Sequence, residues 1–379
     1  MTSFLDIGKF KVVFALPNLV LEQTVETRYL AIIPSTDDRF LKRAASNGAV
    51  KALGEGFKDS KGRKREICFI VADQKAPASA IELEAIVGFR NSYAMACVLF
   101  GADAKIGNPN TLFTTFSDYF DFYPLCPTSD GKLLRQLGAA ANSVDQPAGF
   151  CGQIDPELPK MGNTLRARPD NGLWEQLVAR WTKRFVKGRK DWAINKLFRS
   201  LAIAYHASSV PRKNSLWFHD FGVNVAHWIS AFEILVHPKN GAANLETVVR
   251  LLNDASFSES PLRRKRSIRF RGQKLQTNYA GVLYKQIYDA RNDFLHGNPV
   301  TYKKLLYKTP ESEFVINQIA PLIYGVALST FLYEPPKAPL PKNVPIEKVI
   351  RRLRKTGLLW NSFEDALHRI FTGKSDFDL

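Results

Sequence analysis

Residues 284–300 have the sequence YKQIYDARNDFLHGNPV, and this stretch decides how the second half of the chain is interpreted. The apolar residues in and beside it recur at three- and four-residue spacing, which predicts one face of an amphipathic helix. They are Leu283, Ile287, Ala290, Phe294 and Leu295. Gly297 follows where a left-handed residue would end the helix, and Pro299 prevents the helix from resuming. The pattern therefore predicts a helix over residues 275–296.

The last turn of this predicted helix is unusually polar for a segment between apolar residues. It carries Arg291, Asn292, Asp293 and His296. Asn292 and His296 are four residues apart and share a face of the helix. Arg291 and His296 are separated by about 140° around an ideal helix, so they can flank one groove at the helix end.

The segment from Arg291 to His296, RNDFLH followed by Gly297, resembles the Arg-x4-His signature at the end of a helix in HEPN domains. The surrounding sequence IYDARNDFLHG is most similar to the Apea-like branch of that superfamily. An earlier helical run that contains AFEILV at residues 231–236 strengthens the resemblance, which covers roughly residues 172–334. Many HEPN proteins are metal-independent ribonucleases that work as dimers, with the Arg and His of two protomers at one composite site.

The resemblance implies that the second half of this chain is a dimeric RNA endonuclease. Its products would end in a 2′,3′-cyclic phosphate or a 3′-phosphate, and its RNA substrate would be a tRNA or an mRNA. A role in bacterial antiphage defence or toxin-like growth arrest is also implied.

Arg291 and His296 have the chemistry that such a reaction needs. The ribose 2′-hydroxyl must be activated, charge on the phosphoryl oxygens stabilised and the leaving 5′-oxygen protonated. Histidine can move these protons near neutral pH, and the planar arginine fork suits a phosphoryl group. We therefore predict phosphate stabilisation by Arg291 and proton transfer by His296, with Asn292 orienting the phosphate or His296. In the structural alternative Arg291 pairs with Asp289 or Asp293, and His296 only caps the helix.

Glu233 interrupts the apolar run AFEILV in the earlier predicted helix. An acidic residue there is costly unless it has a partner or faces a groove. We predict that Glu233 holds His296 or Arg291 in place, as an acidic residue on the neighbouring helix does in some HEPN proteins. The alternative is an ordinary exposed glutamate.

A basic cluster precedes the motif and is predicted to bind RNA as a loop. It consists of Arg263, Arg264, Lys265, Arg266, Arg269, Arg271 and Lys274. No acidic residue occurs from residue 261 to residue 288, so the loop would concentrate phosphate near the site and bind RNA in a salt-sensitive way. Phe270 and Tyr279 are candidates for base stacking. The alternative is a solvated loop without a partner.

The net charge of +17 is confined to the second part of the chain. Residues 1–170 hold 20 Lys and Arg against 19 Asp and Glu, whereas residues 171–379 hold 33 against 17. All six histidines are also in the second part. This asymmetry indicates a polyanionic partner such as RNA, although a solvated basic surface that maintains solubility has the same composition.

The predicted fold class is an α+β N-terminal domain followed by an all-α helical bundle. Short β-branched and aromatic runs at residues 9–16, 27–34 and 66–72 predict strands. The predicted organisation is a sensing or accessory domain at 1–145, a Pro- and Gly-rich linker at 146–171, the HEPN-like bundle at 172–335, and a Pro-rich segment with short helices at 336–379. In the bundle, Pro321 is expected to kink or break a helix over residues 312–332.

Several classes of protein are excluded or disfavoured by the sequence. The N-terminus lacks the pattern of a signal peptide, and no stretch supplies about 18 uninterrupted apolar residues, so we expect a cytoplasmic protein without a membrane span. The four cysteines are 25 to 29 residues apart, which indicates reduced thiols rather than a zinc or redox motif. Walker, HExxH and GxSxG motifs are absent, and no metal or other cofactor is predicted.

Two other functions fit the same observations. A HEPN-type bundle could serve only as a dimerisation or RNA-binding module without catalysis. The basic cluster could also belong to a DNA-binding regulator, although no recognition helix stands out.

Overall fold

The computed structural model describes residues 10–45, 47–57, 64–108, 110–128, 134–136, 143–144, 167–189, 191–209, 217–257, 259–309, 313–332 and 360–373. The chain divides into two compact units, residues 1–90 with 116–167 and residues 91–115 with 168–379. Most of the predicted linker and the Pro-rich segment lie outside the described residues.

The first unit has the β-rich start that its strand-like runs predict. Its elements are β1 (Phe10–Leu16), β2 (Val25–Glu26), β3 (Leu30–Pro34), α1 (Asp38–Ala45), α2 (Gly48–Gly56), β4 (Cys68–Asp73), α3 (Ala78–Ile81), the first part of α4 (Leu83–Gly107), a 3-10 turn (Ser117–Phe120), β5 (Leu125–Pro127), β6 (Leu134–Gln136) and β7 (Ser143–Val144). One antiparallel sheet has the order β1-β4-β3-β2, and a smaller one has the order β5-β6-β7. The buried core of this unit includes Ala15, Ile33, Phe40, Leu53, Phe69, Val71 and Tyr123.

Residues 91–115, predicted as part of the N-terminal domain, group with the second unit instead. The reason is packing against the end of the predicted linker and the helix that follows it. The ring of Tyr93 lies 5.2 Å from that of Trp174, and the guanidinium of Arg168 lies 5.4 Å from the ring of Phe100. α4 is long and apolar enough to cross a membrane, but 89% of its most apolar window is buried, which is typical of the core helix of a soluble protein.

Helices dominate the second unit, as predicted. Its elements are α5 (Asn171–Trp181), a π-helical turn (Thr182–Val186), α6 (Trp192–Ala207), α7 (Trp217–Val236), α8 (Leu245–Asn253), α9 (Ser260–Arg263), β8 (Arg266–Phe270), β9 (Gln273–Thr277), α10 (Tyr279–Leu295), a 3-10 turn (Tyr302–Leu305), β10 (Leu306–Lys308), β11 (Glu313–Val315), α11 (Ile316–Leu332) and α12 (Trp360–Thr372). Two antiparallel strand pairs, β8–β9 and β10–β11, show that it is not the all-α bundle that the sequence predicts. α11 is the most buried of the helices. It continues through Pro321, so the expected break is wrong, and it begins at Ile316 because residues 313–315 pair with β10.

α7 and α10 run antiparallel and pack closely near the end of α10. A side-chain carbon added at Gly222 would come within 2.6 Å of the Phe294 ring, so glycine at this position allows the two helices to approach. Further along the same pair, the rings of Phe232 and Tyr284 lie 4.9 Å apart. The C-terminal part of α7 therefore lies level with the middle of α10.

The segment before α10 is a β-hairpin, so the predicted basic loop and the predicted helix start at residue 275 are both wrong. Strands β8 and β9 are joined by Arg271 and Gly272, whose φ angles are 48° and 80°. Two consecutive positive φ angles are the geometry of a type I′ hairpin turn. α10 then begins at Tyr279, after Asn278 caps it by accepting a hydrogen bond from the Gly281 N–H at 3.1 Å.

The C-terminal end of α10 lies where the sequence predicts it. Gly297 has a φ of 68°, and the Asn298 N–H donates to the Asp293 carbonyl at 3.0 Å. This closure across a left-handed glycine is the Schellman motif. It fixes the backbone at His296, the residue that caps the helix.

Asp170 caps α5 from a buried position. Its Oδ1 accepts a hydrogen bond from the Leu173 N–H at 2.8 Å, and its own N–H donates to the Ala96 carbonyl at 3.1 Å. Burial raises the pKa of the Asp170 carboxyl to about 6 from an ordinary 3.8. The native state therefore holds a proton that the unfolded chain has released, and stability falls as pH rises through this window.

Asp170→Asn is expected to stabilise the protein by about 1–2 kcal/mol at pH 7, because asparagine caps a helix as well as aspartate and has no charge to bury. The gain should shrink toward pH 4 in urea unfolding curves. Asp170→Ala serves as the control, because it loses the cap and should be about 1 kcal/mol less stable than Asp170→Asn. An Asn variant less stable than wild type at pH 7 would mean that the buried carboxylate is favourable.

Candidate functional site at the end of α10

Arg291 is half-buried on α10, and no carboxylate forms an ion pair with it in the described part of the chain. Its Nη1 donates to Asn292 Oδ1 at 2.9 Å, and its buried Nε has no hydrogen-bond partner there. The alternative surface pair with Asp289 or Asp293 does not form. Asp289 accepts from Lys285 at 2.6 Å, and Asp293 accepts from Lys304 at 3.0 Å. The Arg291 guanidinium therefore has no ion-pair partner among the described residues, although it interacts electrostatically with Glu233.

His296 is exposed at the C-terminal end of the same helix. Its backbone N–H donates to the Asn292 carbonyl at 3.0 Å, and its imidazole makes no hydrogen bond within the described ranges. The Asn292 side chain accepts from Arg291, and it makes no hydrogen bond to the His296 side chain among the described residues. The helix places a fixed backbone under an accessible imidazole, as a proton-transfer group requires.

No hydrogen bond joins the side chains of Arg291 and His296 among the described residues; the Arg291 guanidinium donates to Asn292 instead. The two residues are also offset by about 7 Å along the axis. A direct hydrogen bond between Arg291 and His296 therefore does not assemble the pair within one chain.

Glu233 lies near Arg291 and far from His296. Its neighbour Phe232 contacts Tyr284, which is twelve residues and about 18 Å of helix before His296. A direct role in holding His296, one of the two predicted roles, is therefore wrong. Burial raises the pKa of the half-buried Glu233 carboxyl, and the positive charge of Arg291 opposes that rise. Glu233 and Arg291 therefore interact through their charges at longer range, because no ion pair joins them among the described residues.

Glu233→Gln is expected to gain stability relative to wild type as pH rises. Because the folded pKa is raised above 4.5, native wild type binds more protons than the unfolded chain above that pH and loses stability there. The glutamine variant lacks this loss. Urea unfolding between about pH 4 and pH 8 measures the difference, with the exposed Glu175→Gln on α5 as control. A difference that is constant over this range would contradict the buried position of Glu233.

Tyr284 belongs to the same cluster and was missed by the sequence interpretation. It is fully buried, and its hydroxyl has no hydrogen-bond partner among the residues with a described position. Burial raises the pKa of Tyr284 well above its ordinary value, and the nearby Glu233 carboxylate adds to the rise. Tyr284, Tyr288 and Arg291 follow the spacing i, i+4, i+7, which places them on one face of α10. That spacing in the sequence could have indicated that Tyr284 belongs to the cluster.

Most of the basic cluster lies on the hairpin surface or just before it. The exposed members are Arg263, Arg264, Lys265, Arg269, Arg271 and Lys274. Arg269 and Lys274 are opposite each other in the register of β8 and β9, so both charges point from the same face. Phe270 points from the other face, and its ring lies 6.0 Å from that of Tyr288 on α10. The hairpin is thereby docked on the motif helix one turn before Arg291.

Arg266 and Tyr279 have structural roles that the sequence did not indicate. The Arg266 guanidinium donates to the carbonyls of Arg264 and Pro261, both at 2.9 Å, and lies 5.2 Å from the Tyr279 ring and 5.4 Å from the Phe371 ring. Tyr279 is buried, and its hydroxyl donates to Tyr307 at 2.8 Å. Base stacking by Tyr279 is therefore wrong, and Arg266 is already satisfied by protein groups.

Within the described ranges, no group of three or more His, Cys, Asp and Glu side chains could hold a metal ion. Comparison of the chain with protein-family models, with curated proteins and with solved structures found no match.

Proposed function

We propose that residues 172–335 form a metal-independent RNA endonuclease of the HEPN type. His296 moves the protons of the reaction, and Arg291 stabilises charge on the phosphoryl group. Asn292 and Glu233 act as positioning residues for Arg291. The observation that carries this proposal is the half-buried Arg291 guanidinium, which forms no ion pair among the described residues, on the same helix as the exposed His296, with both neighbouring aspartates paired to lysines.

A homodimer through the helical unit would complete the site. Arg291 and His296 of one chain are not hydrogen-bonded to each other, and a second copy at the end of α10 would supply the complementary half of a composite site. Two exposed apolar side chains next to the Gly222–Phe294 contact support this, since Val223 is 52% exposed and Leu295 55% exposed. Burial of such side chains favours association.

RNA is the expected partner, because the hairpin places exposed positive charge beside the motif helix. By resemblance, the enzyme would act in the cytoplasm on tRNA or mRNA, in antiphage defence or toxin-like growth arrest, with the first unit as a sensing or accessory domain. No cofactor is needed for this chemistry.

Cleavage of total RNA and of purified tRNA by the full chain, with EDTA present, tests the proposal. Wild type is compared with the Arg291→Ala, His296→Ala double variant, and the 3′ ends of the products are mapped. Cleavage that survives EDTA, leaves cyclic-phosphate ends and is absent from the double variant is the expected result. Equal cleavage by both proteins would overturn it. Absence of cleavage together with salt-sensitive RNA binding would favour the non-catalytic binding module.

A further inference from the structure

The segment that follows the motif returns to the motif helix. Lys304 donates to the Asp293 carboxylate at 3.0 Å and to the Pro299 carbonyl at 2.8 Å, and Leu305 is fully buried. Asn298 also donates to the Asp293 carboxylate, at 3.0 Å. The 3-10 turn Tyr302–Leu305, which begins six residues after His296, is therefore anchored at the end of α10.

Tyr302 opens this turn and is the most exposed of the large hydrophobic side chains in the described residues, at 57%. Among the described residues, the Tyr302 ring contacts no other aromatic ring and the Tyr302 hydroxyl makes no hydrogen bond. The next residue, Lys303, is also exposed. An anchored backbone thus carries an exposed aromatic ring and an exposed cation at consecutive positions, whose side chains diverge around the 3-10 turn.

An exposed aromatic ring beside a cation is the combination that single-stranded nucleic acids bind, because a base stacks on the ring and the phosphate meets the charge. Scattered exposed apolar residues are common on protein surfaces, but Tyr302 lies at the end of the helix that carries Arg291 and His296. The basic hairpin supplies charge without a free ring, since Phe270 packs on Tyr288 and Tyr279 is buried. Tyr302 is therefore the aromatic surface that the hairpin lacks.

We propose that Tyr302 stacks on an unpaired base next to the phosphodiester that is cleaved, while Lys303 contacts a neighbouring phosphate. The proposal deepens the ribonuclease assignment and rests on it, because it makes single-stranded RNA the substrate at this site. An unpaired nucleotide can also turn its base out of a stack, as single-stranded RNA does in protein complexes.

Binding of a short unstructured RNA to the His296→Ala protein tests the proposal without cleavage. Adding Tyr302→Ala should weaken binding about 10-fold, whereas Tyr302→Trp should keep the affinity. Lys303→Gln should weaken binding and reduce its salt dependence. Because Tyr302 is exposed, all variants should melt at the temperature of the parent.

Abasic substitution, one nucleotide at a time, separates stacking from a general loss of affinity. At one position, removal of the base should weaken binding to the Tyr302 protein about 10-fold but leave binding to the Tyr302→Ala protein unchanged. Equal losses for both proteins at every position, or no binding by the parent protein, would overturn the proposal.

Failure of the nuclease and failure of the stacking site give different results. Base-dependent binding that needs Tyr302, without cleavage by wild type, would retain the stacking site and reject the enzyme. Cleavage by wild type, with the same kcat and KM in Tyr302→Ala, would retain the enzyme and reject the stacking site. If both are right, Tyr302→Ala should raise KM about 10-fold more than it changes kcat.

Discussion

His296→Ala should lower kcat for RNA cleavage by about 100- to 10,000-fold, the range for loss of a general acid or base. The imidazole is exposed and makes no hydrogen bond in the described residues, so its removal should leave the melting temperature and KM close to wild type. Arg291→Ala should lower kcat about 100- to 1,000-fold, because a charge-stabilising donor is lost. Arg291→Lys should fall between Arg291→Ala and wild type, since lysine keeps the charge but not the planar fork.

Single-turnover cleavage of a labelled RNA with EDTA present measures these changes. His206→Ala is the matched control, because His206 is an exposed histidine at the end of α6 and has no role in the proposed mechanism. Activity within about twofold of wild type is expected for the control. An equal loss in His206→Ala, or full activity in His296→Ala, would contradict the proton-transfer role.

Mixing the two inactive variants tests the composite site in the same assay. If Arg291 of one chain works with His296 of its partner, mixed dimers of Arg291→Ala and His296→Ala contain one intact pair. The mixture should then recover activity that neither variant has alone. A mixture as inactive as its components, with subunit exchange shown independently, would contradict a site that two chains share.

The end of α10 could be predicted from local sequence because local interactions determine it. The left-handed conformation of Gly297 depends on the glycine itself rather than on distant segments, and the apolar stripe indicates which face of the helix is buried. Three strands of the first unit, β1, β3 and β4, were predicted for the same reason, since β-branched runs fill a buried sheet.

The surroundings of the site could not be predicted because they depend on contacts between distant segments. Arg266 resembles its neighbours in sequence, and only its carbonyl partners and the ring of Phe371, more than a hundred residues later, distinguish it. The hairpin turn places Arg271 at a positive φ, where Asn or Asp is more usual, so the turn signal was absent. The antiparallel pairing of α7 and α10 decides that Glu233 lies near Arg291 rather than His296.

Replacement of Arg269, Arg271 and Lys274 by glutamine should weaken RNA binding about 100-fold at 0.1 M salt. All three side chains are exposed on the hairpin. Each phosphate contact contributes about 0.7 to the slope of log affinity against log salt for a single strand, so the slope should become shallower by about 2. Arg266 is excluded from the set because its guanidinium is bound to protein carbonyls, and Arg266→Gln should instead lower stability.

The matched control removes the same three charges from the first unit, as Lys42, Lys51 and Lys75 replaced by glutamine. These lysines are exposed and lie far in sequence from the motif. If net charge alone attracts RNA, both triple variants should lose affinity and slope equally, and the assignment of the hairpin would be wrong. If the hairpin holds the RNA backbone beside α10, only the hairpin variant should lose them. Its kcat at saturating RNA should remain near wild type, because Arg291 and His296 are untouched and only the capture of substrate is impaired.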